Sequence, residues 1–521
     1  MAISNPGGNL NSVPSPTKQT QNSNYLDFTG TTDKTWAQQY VPDLMEKEAE
    51  VFGNRTISGF LSQVGAEESM TADQVVWSEQ GRLHLSYKGH VVHATVQQEQ
   101  AGSAVGGTIE IDYDIDDNAI GTSVIDHGIR VNDMLLMADA NSTTQCLVTA
   151  VNIDQIDVAV YAPGTGTGTL TNAGFATGTN NDKSLTVLVY GSEYAKGRSY
   201  YDNVPAAVNA GDEVSYRQSN EPQFKSFSNK PIIMKDYYSV SGSDASRIGW
   251  VEVSGEDGTS GYLWYLKAES ETRMRFTDYL EMAMLEAVKV KNPTDDESDV
   301  DEFLSGSDTS DGEWGTQGLF DAIEDRGNIT TGVTGVNAAT DLAEFDAILA
   351  EFDNQGAIEE NMMFVNRTTS LAMDDMLASM NSYGAGGTSY GVFNNSEDMA
   401  LNLGFSGFRR GSYDFYKSDF RYLNDKATRG GINALNTTGA VRGVIIPAGT
   451  STVYDQQLGK NLKRPFLHVR YRASATDNRK LKTWVTGSVG ATTSALDAME
   501  IHMLSERCLI TQGANNFMLM K

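Results

Sequence analysis

Three histidines lie close together in the chain, His84, His90 and His93, and imidazole is the commonest side-chain ligand for transition metals. A strand sends alternate side chains to opposite faces and no cysteine stands nearby, so this spacing alone assembles no ligand set. In "DYDIDDNAIGTS", Asp112, Asp114 and Asp116 match the first acidic positions of a calcium loop. Asp117 and Ser123 then stand where the loop requires glycine and a bidentate glutamate. "GTGTGTL" at Gly164–Leu170 has the glycines of a phosphate-cradling loop, but no lysine follows and no helix pattern opens. "GFSGF" at Gly404–Phe408 lacks the spacing of a nucleophile elbow. With 68 acidic residues, a carboxylate pair of the glycosidase kind cannot be singled out. The sequence therefore assigns no catalytic residue, no metal ligand and no cofactor site, and the expected class is not an enzyme.

Composition narrows the alternatives. The 521 residues exceed what one hydrophobic core usually serves, so at least two packing units are expected. Lys and Arg total 39 against 68 Asp and Glu, a net charge of −29, which repels phosphate backbones and argues against tight nucleic-acid binding. Hydrophobic residues at 40% and charged residues at 21% point to a globular chain. No secretory signal pattern opens the sequence, and no window is apolar for the ~18 residues a membrane span needs. Cys146 and Cys508 stand far apart, which fits two small buried side chains and a reducing compartment.

Residues 1–35 are rich in Asn, Ser, Thr, Gly and Pro and read as an arm; residues 36–74 read mainly as short helical pieces. After Thr71 the period changes, and Leu83, Leu85 and Tyr87 alternate with polar residues as in a half-buried strand. Ile109, Ile111, Tyr113 and Ile115 alternate with acids, and further short apolar runs separated by turn residues follow to Gly191. Residues 108–191 are therefore expected to form an inserted small β barrel or sandwich. In "YLWYLKAESETRMRFTDYLEMAMLEAVKVKNP", Phe276, Leu280, Met284 and Val288 recur at helical spacing, and Pro293 stops the pattern; a helix over about 262–290 is expected. Two shorter helical patterns, "DLAEFDAILAEFDNQG" and "RTTSLAMDDMLASMN", flank the strand-like "NMMFVN", and strands dominate after Tyr413. The fold class is α+β.

The order of these features resembles the major capsid proteins of tailed bacteriophages, with podovirus-like or crAss-like members nearest in pattern. "VVWSEQGRL" is similar to the stretch at which that family's extended E-loop begins. "YGSEYAKGRSY" and "SNKPIIMKDYYSVSGSDA" resemble the return segment, and "ETRMRFTDYLEMAMLEA" resembles the spine helix. The resemblance covers nearly the whole chain through order and spacing, and the insertion departs from simpler members. It implies the tailed-phage and herpesvirus-type capsid fold. Its parts would be an N-terminal arm at 1–35, a short helical segment at 36–74, and an E-loop and its return at 75–107 and 192–245. The inserted β domain would occupy 108–191. A P-domain at 246–340 would contain the spine helix, the A-domain would fill most of 341–485, and residues 486–521 would return as strands to the P-domain.

The same resemblance implies a structural virion protein, made in the host cytoplasm, that assembles as hexamers and pentamers into an icosahedral head around double-stranded DNA. Implied partners are further copies of the chain and the portal, scaffolding or decoration proteins of its virus, with no membrane and no cofactor. Trp77, Glu79, Arg82 and His84 would then sit where the chain enters the E-loop, and such a mixture suits a subunit interface; the alternative for Trp77 is burial in its own subunit's core. Charge is also segregated: nine acids between Thr294 and Trp314 have no basic residue among them. The stretch from Val441 to Lys482 holds Lys463, Arg464, Arg470 and Arg472 among other bases, with Asp455 and Asp477 as its acids. Complementary patches of this kind would steer neighbouring subunits into register. A β-rich tail or fibre component is the alternative, and a secreted polysaccharide-cleaving enzyme a more distant one; the sequence has neither internal repeats nor a coiled-coil heptad.

Overall fold

The computed structural model describes residues 59–61, 66–79, 85–97, 106–121, 125–162, 164, 166–179, 183–200, 217–220, 225–243, 253–254, 260–261, 263–290, 300, 303–304, 314–356, 358–380, 407–448, 450–455, 460–489 and 492–521. The arm at 1–35 and the acidic residues named between 294 and 314 lie outside them. The chain divides into two units, residues 78–225 and the remainder.

In the 78–225 unit, β3 (Ser86–His93), β4 (Gly107–Asp114), β5 (Asp133–Ala138), β6 (Thr143–Asn152), β7 (Gln155–Val160) and β8 (Leu185–Ser192) close a barrel in the order β3-β4-β7-β6-β5-β8. Every pair is antiparallel. Alternation fills the interior: Ile109 and Ile111 from β4, Leu135 and Met137 from β5, and Cys146 and Val148 from β6 are fully buried in one cluster. The barrel starts earlier than residue 108. Residues 86–93, expected in the E-loop, instead supply the strand that pairs with both β4 and β8, without which those two strands would present open edges.

His127 is buried among these strands. Its Nε2 donates to the Ile153 carbonyl at 2.7 Å and its Nδ1 accepts from the Ile129 amide at 3.2 Å, which fixes a neutral tautomer. Burial pushes its pKa down to about 4. The unfolded imidazole takes up a proton near pH 6.5 while the folded one does not, so folding is expected to weaken as pH falls from about 6.5 to 4, by a few kcal/mol over the window. Carboxylates titrate there as well. The check is therefore denaturant unfolding of the barrel against pH beside a His127→Gln variant, whose slope should be shallower; equal slopes would contradict the assignment.

Among the described residues, the other unit contains two larger sheets beside three two-stranded pairs. The first joins β1 (Ala66–Met70), β10 (Ile232–Ser241), β20 (Leu467–Arg472), β21 (Lys482–Gly487) and β22 (Ala498–Thr511). The long β22 pairs with β10 along one edge and with β20 and then β21 along the other, while β1 lies parallel to β20. Residues 66–70, expected within the helical segment, are thus a strand, because β20 offers them a ladder that local propensity could not anticipate. The helix α1 (Leu263–Glu286) packs through Phe276 and Leu280 on Met234 of β10 and Met503 of β22. It ends before Val288, which is exposed.

The second sheet has the order β13 (Asn328–Thr330), β23 (Met518–Met520), β17 (Gly443–Pro447), β14 (Glu360–Val365), β16 (Tyr413–Asp419), β15 (Gly407–Arg410). Its central strands are almost continuously apolar because both faces are covered. Phe364, Val444, Ile446 and Leu519 enter one cluster with Leu467, Val469 and Leu509 of the first sheet, Met284 and Leu285 of α1, and Leu319 and Ile323 of α2 (Leu319–Arg326). The alternate residues Met363, Val365, Ile445, Met518 and Met520 enter a second cluster. There they meet Phe345, Ile348 and Phe352 of α3 (Ala338–Gln355) and Met373, Met376 and Leu377 of α4 (Arg367–Met380). Asn337 caps α3 by accepting from the Ala339 and Thr340 amides. Gly356 closes it in the left-handed conformation that glycine adopts without strain. The short helices α5 (Arg421–Asn424) and α6 (Arg429–Leu435) and a hairpin of β18 (Thr450–Asp455) with β19 (Lys460–Pro465) complete the main elements, with a two-residue pair β11 (Val253–Ser254) and β12 (Ser260–Gly261) ahead of α1.

Candidate assembly surfaces

Trp77 lies on β2 (Val75–Glu79), which pairs with β9 (Lys225–Asn229). Strand alternation turns Val76 and Ser78 outward and Trp77 inward, where its side chain is 8% exposed and packs with Met70, Cys508, Ile510 and Phe227. The Arg326 guanidinium sits 4.3 Å from the Phe227 ring centre and 5.6 Å from that of Trp77, so a cation covers both rings. Trp77, expected at a subunit interface, is thus a core residue of its own chain, and the exposed Val76 is what the strand presents. Glu79 is half-buried at the end of β2; Arg82 and His84 lie outside the described residues.

Asn229 ends β9 as a buried hub. Its amide group donates to the carbonyls of Gln317 and Leu509 and accepts from the Thr316 hydroxyl and the Gln317 amide. Full satisfaction of a buried amide fixes where the return strand meets β22. Glu281 does the same for residues 59–61, its carboxylate accepting from the Gly59 and Leu61 amides on contacts of 2.7–3.0 Å. Phe60 is thereby held between Phe364 and Phe420, with ring centres at 4.7 and 4.8 Å.

Five bases of the segment, those from Arg470 to Lys482, pair with acids of the same chain. Because β1 runs beside β20, Glu68 faces Arg470 and pairs with it at 2.9 Å. Arg472 pairs with Asp73 and, at 2.8 Å, with the buried Glu506, which Arg479 also meets at 2.9 Å. Lys480 pairs with Glu67, and Lys482 with Asp477 at 2.8 Å. Arg470 and Arg472, expected at a subunit interface, each have acidic partners within their own chain. Lys463 and Arg464 lie on β19, opposite Thr452 and Ser451 of β18.

One further surface was not read from the sequence. On the solvent side of the first sheet, Tyr237, His502 and Trp484 come from three adjacent strands in direct register. The imidazole stacks on both neighbours, with ring centres at 5.9 and 5.2 Å and interplanar angles of 24° and 18°. Tyr237 is 60% exposed, and Ile233 beside it on β10 is exposed too. Flat aromatic faces held by cross-strand stacking lose little freedom on burial, which suits contact with another protein surface. The signal in sequence was the alternation of Ile233, Lys235, Tyr237 and Ser239, but the partners on β21 and β22 are hundreds of residues away.

The two thiols are not reactive: burial pushes both Cys146 and Cys508 up to about 12. The acidic turn after β4 is self-capping, with the Asp114 carboxylate accepting from the amides of Asp116 and Asn118. Among the described residues no helix is long and apolar enough to cross a membrane.

None of the known family models matches the chain, and neither does any curated protein. Among solved structures, one from Microbacterium phage Oxtober96 is 8% identical, covers 95% of this chain and 99% of its own, and has a TM-score of 0.34. One from Mycobacterium phage Ogopogo is 12% identical over 61% of this chain and 82% of its own, at 0.31. The asymmetric unit of the bacteriophage PhiM1 mature capsid is 10% identical over 66% and 94%, also at 0.31. Overlap of this degree is a similarity on which neither the fold nor the function rests.

Proposed function

We propose that this chain is the major capsid protein of a tailed bacteriophage, a structural virion protein that assembles through hexamers and pentamers into the head enclosing the genome. The observation that carries the reading is the order of parts in the chain. A barrel-bearing excursion at 78–225 leaves and returns through the paired strands β2 and β9, and a long helix then packs along the β10–β22 pair. A second, two-faced mixed sheet follows before β22 and β23 bring the C-terminal residues back into both sheets. That sequence of an excursion, a spine helix on a strand pair and a separate mixed sheet is what the resemblance to capsid proteins implies for E-loop, P-domain and A-domain. The row Tyr237–His502–Trp484 and the β18–β19 hairpin are the surfaces on which neighbouring copies would meet. Arg470 and Arg472 would act indirectly, by holding β1 and β20 in place. Shells built from many weak contacts need no catalytic group, and a wall of net charge −29 would release packaged DNA readily.

Co-expression of the full chain with the other head proteins of its virus, followed by light scattering and negative-stain microscopy, tests the proposal. Closed shells are expected, and reversing Lys463 and Arg464 to Glu should reduce their yield while leaving the chain folded by circular dichroism. Persistent monomers would overturn the capsid reading, and fibres or tubes would favour the tail component.

A further inference from the structure

His90 of β3 stands opposite Glu110 of β4, and its Nδ1 lies 2.7 Å from Oδ2 of Asp112. One ligand atom from each of the three side chains falls within 4.8 Å of the others. His90 is 1% exposed and the Asp112 side chain is almost as deeply buried. The sequence placed His90 with His84 and His93 and gave none of them a partner; the ladder instead brings it two carboxylates. We propose that His90, Glu110 and Asp112 form a binding site for a first-row divalent metal ion of the Zn2+ type.

Two features of the backbone build the arrangement. The register slips between Lys88↔Tyr113 and Gly89↔Ile111, so Asp112 is the extra residue of a β-bulge, a device that re-aims a side chain. Gly89 allows the strands to approach there, because a Cβ at that position would lie 1.9 Å from the Glu110 carbonyl oxygen. Gln155 then donates to Oε2 of Glu110 at 2.9 Å and holds that carboxylate, as outer partners hold metal ligands.

Charge points the same way. Among the described residues no Lys or Arg is paired with Glu110 or Asp112, although Lys88 and Lys183 nearby both pair with Asp117. Two carboxylates thus converge beside one imidazole with no ammonium or guanidinium among the described residues paired to either, which leaves a local negative charge. A cation would neutralise it. One imidazole and two carboxylates suit Zn2+ with one position left for water, and the imidazole disfavours Mg2+ and Ca2+, which take oxygen ligands. Donor atoms held at about 2.1 Å in a tetrahedral shell lie roughly 3.4 Å apart, so to admit the ion the site needs to open by about 0.7 Å at the His90–Asp112 contact and to close by up to about 1.4 Å across its wider separations.

The test is Zn2+ titration of the full chain at pH 7 by competition with a chromophoric chelator, in excess Mg2+ to occupy exposed carboxylates. One equivalent per chain is expected. Glu110→Gln and Asp112→Asn should each weaken binding by at least about tenfold, since loss of an outer partner alone commonly does so. His90→Ala should abolish it, and because that variant removes a buried side chain, the half-exposed Glu110→Gln provides the reading if it does not fold. A His502→Ala control should bind as the parent does. Absence of uptake, or uptake indifferent to Glu110→Gln and Asp112→Asn, would overturn the proposal.

Discussion

Replacing Asp374 with Ala is expected to destabilise the chain by about 3–5 kcal/mol, the cost of leaving a buried cation without its partner. Lys417 of β16 reaches under α4, where its ammonium pairs with Oδ1 of Asp374 and donates to the Ser370 carbonyl at 3.1 Å. The two side chains are 5% and 10% exposed, so water cannot replace the lost carboxylate. The pair itself contributes little beyond what an apolar contact would, because both charges were desolvated to make it. The double variant Lys417→Met with Asp374→Leu should therefore regain most of the loss. Urea unfolding of the three proteins decides the matter: a single variant within ~0.5 kcal/mol of the parent, or a double variant as weak as the single, would refute the account.

Phe345→Ala should cost a similar amount, about 3–5 kcal/mol, for a different reason. Phe345 is fully buried on α3, with ring centres of Phe408 and Phe415 at 5.4 and 5.2 Å, and those two rings stack on each other at 5.4 Å. Alanine removes a ring from the middle of that group and leaves a cavity that β15 and β16, tied into the sheet by their ladders, cannot close. Phe345→Leu retains most of the volume and should cost under about 1.5 kcal/mol. The sheet that Phe345 supports shares its other face with the core under α1, so both sheets should unfold together in one transition. Separate transitions by tryptophan fluorescence and circular dichroism would show that the two sheets are independent.

What the sequence determined by itself were the features written in local periodicity. The four-residue recurrence of Phe276, Leu280 and Met284 located α1, the alternation of Ile109 and Ile111 located a barrel strand, and the run "NMMFVN" between two helical patterns located β14. Each depends only on which face of one element is apolar, and that is visible within about fifteen residues. Tertiary structure alone decided the pairings. Residues 66–70 became a strand because β20, some 400 positions later, lies beside them, and the barrel gained β3 because β4 and β8 needed a strand between them. Trp77 went inward and the arginines of β20 met Glu68, Asp73 and Glu506 because the fold brings together segments that lie far apart in the chain, which spacing does not show. His90 gained Glu110 and Asp112 in the same way, through a bulge that no pattern announces. Side-chain chemistry in this chain is set across strands, and cross-strand register is fixed by burial and loop closure over the whole fold, which a reading along the chain does not sample.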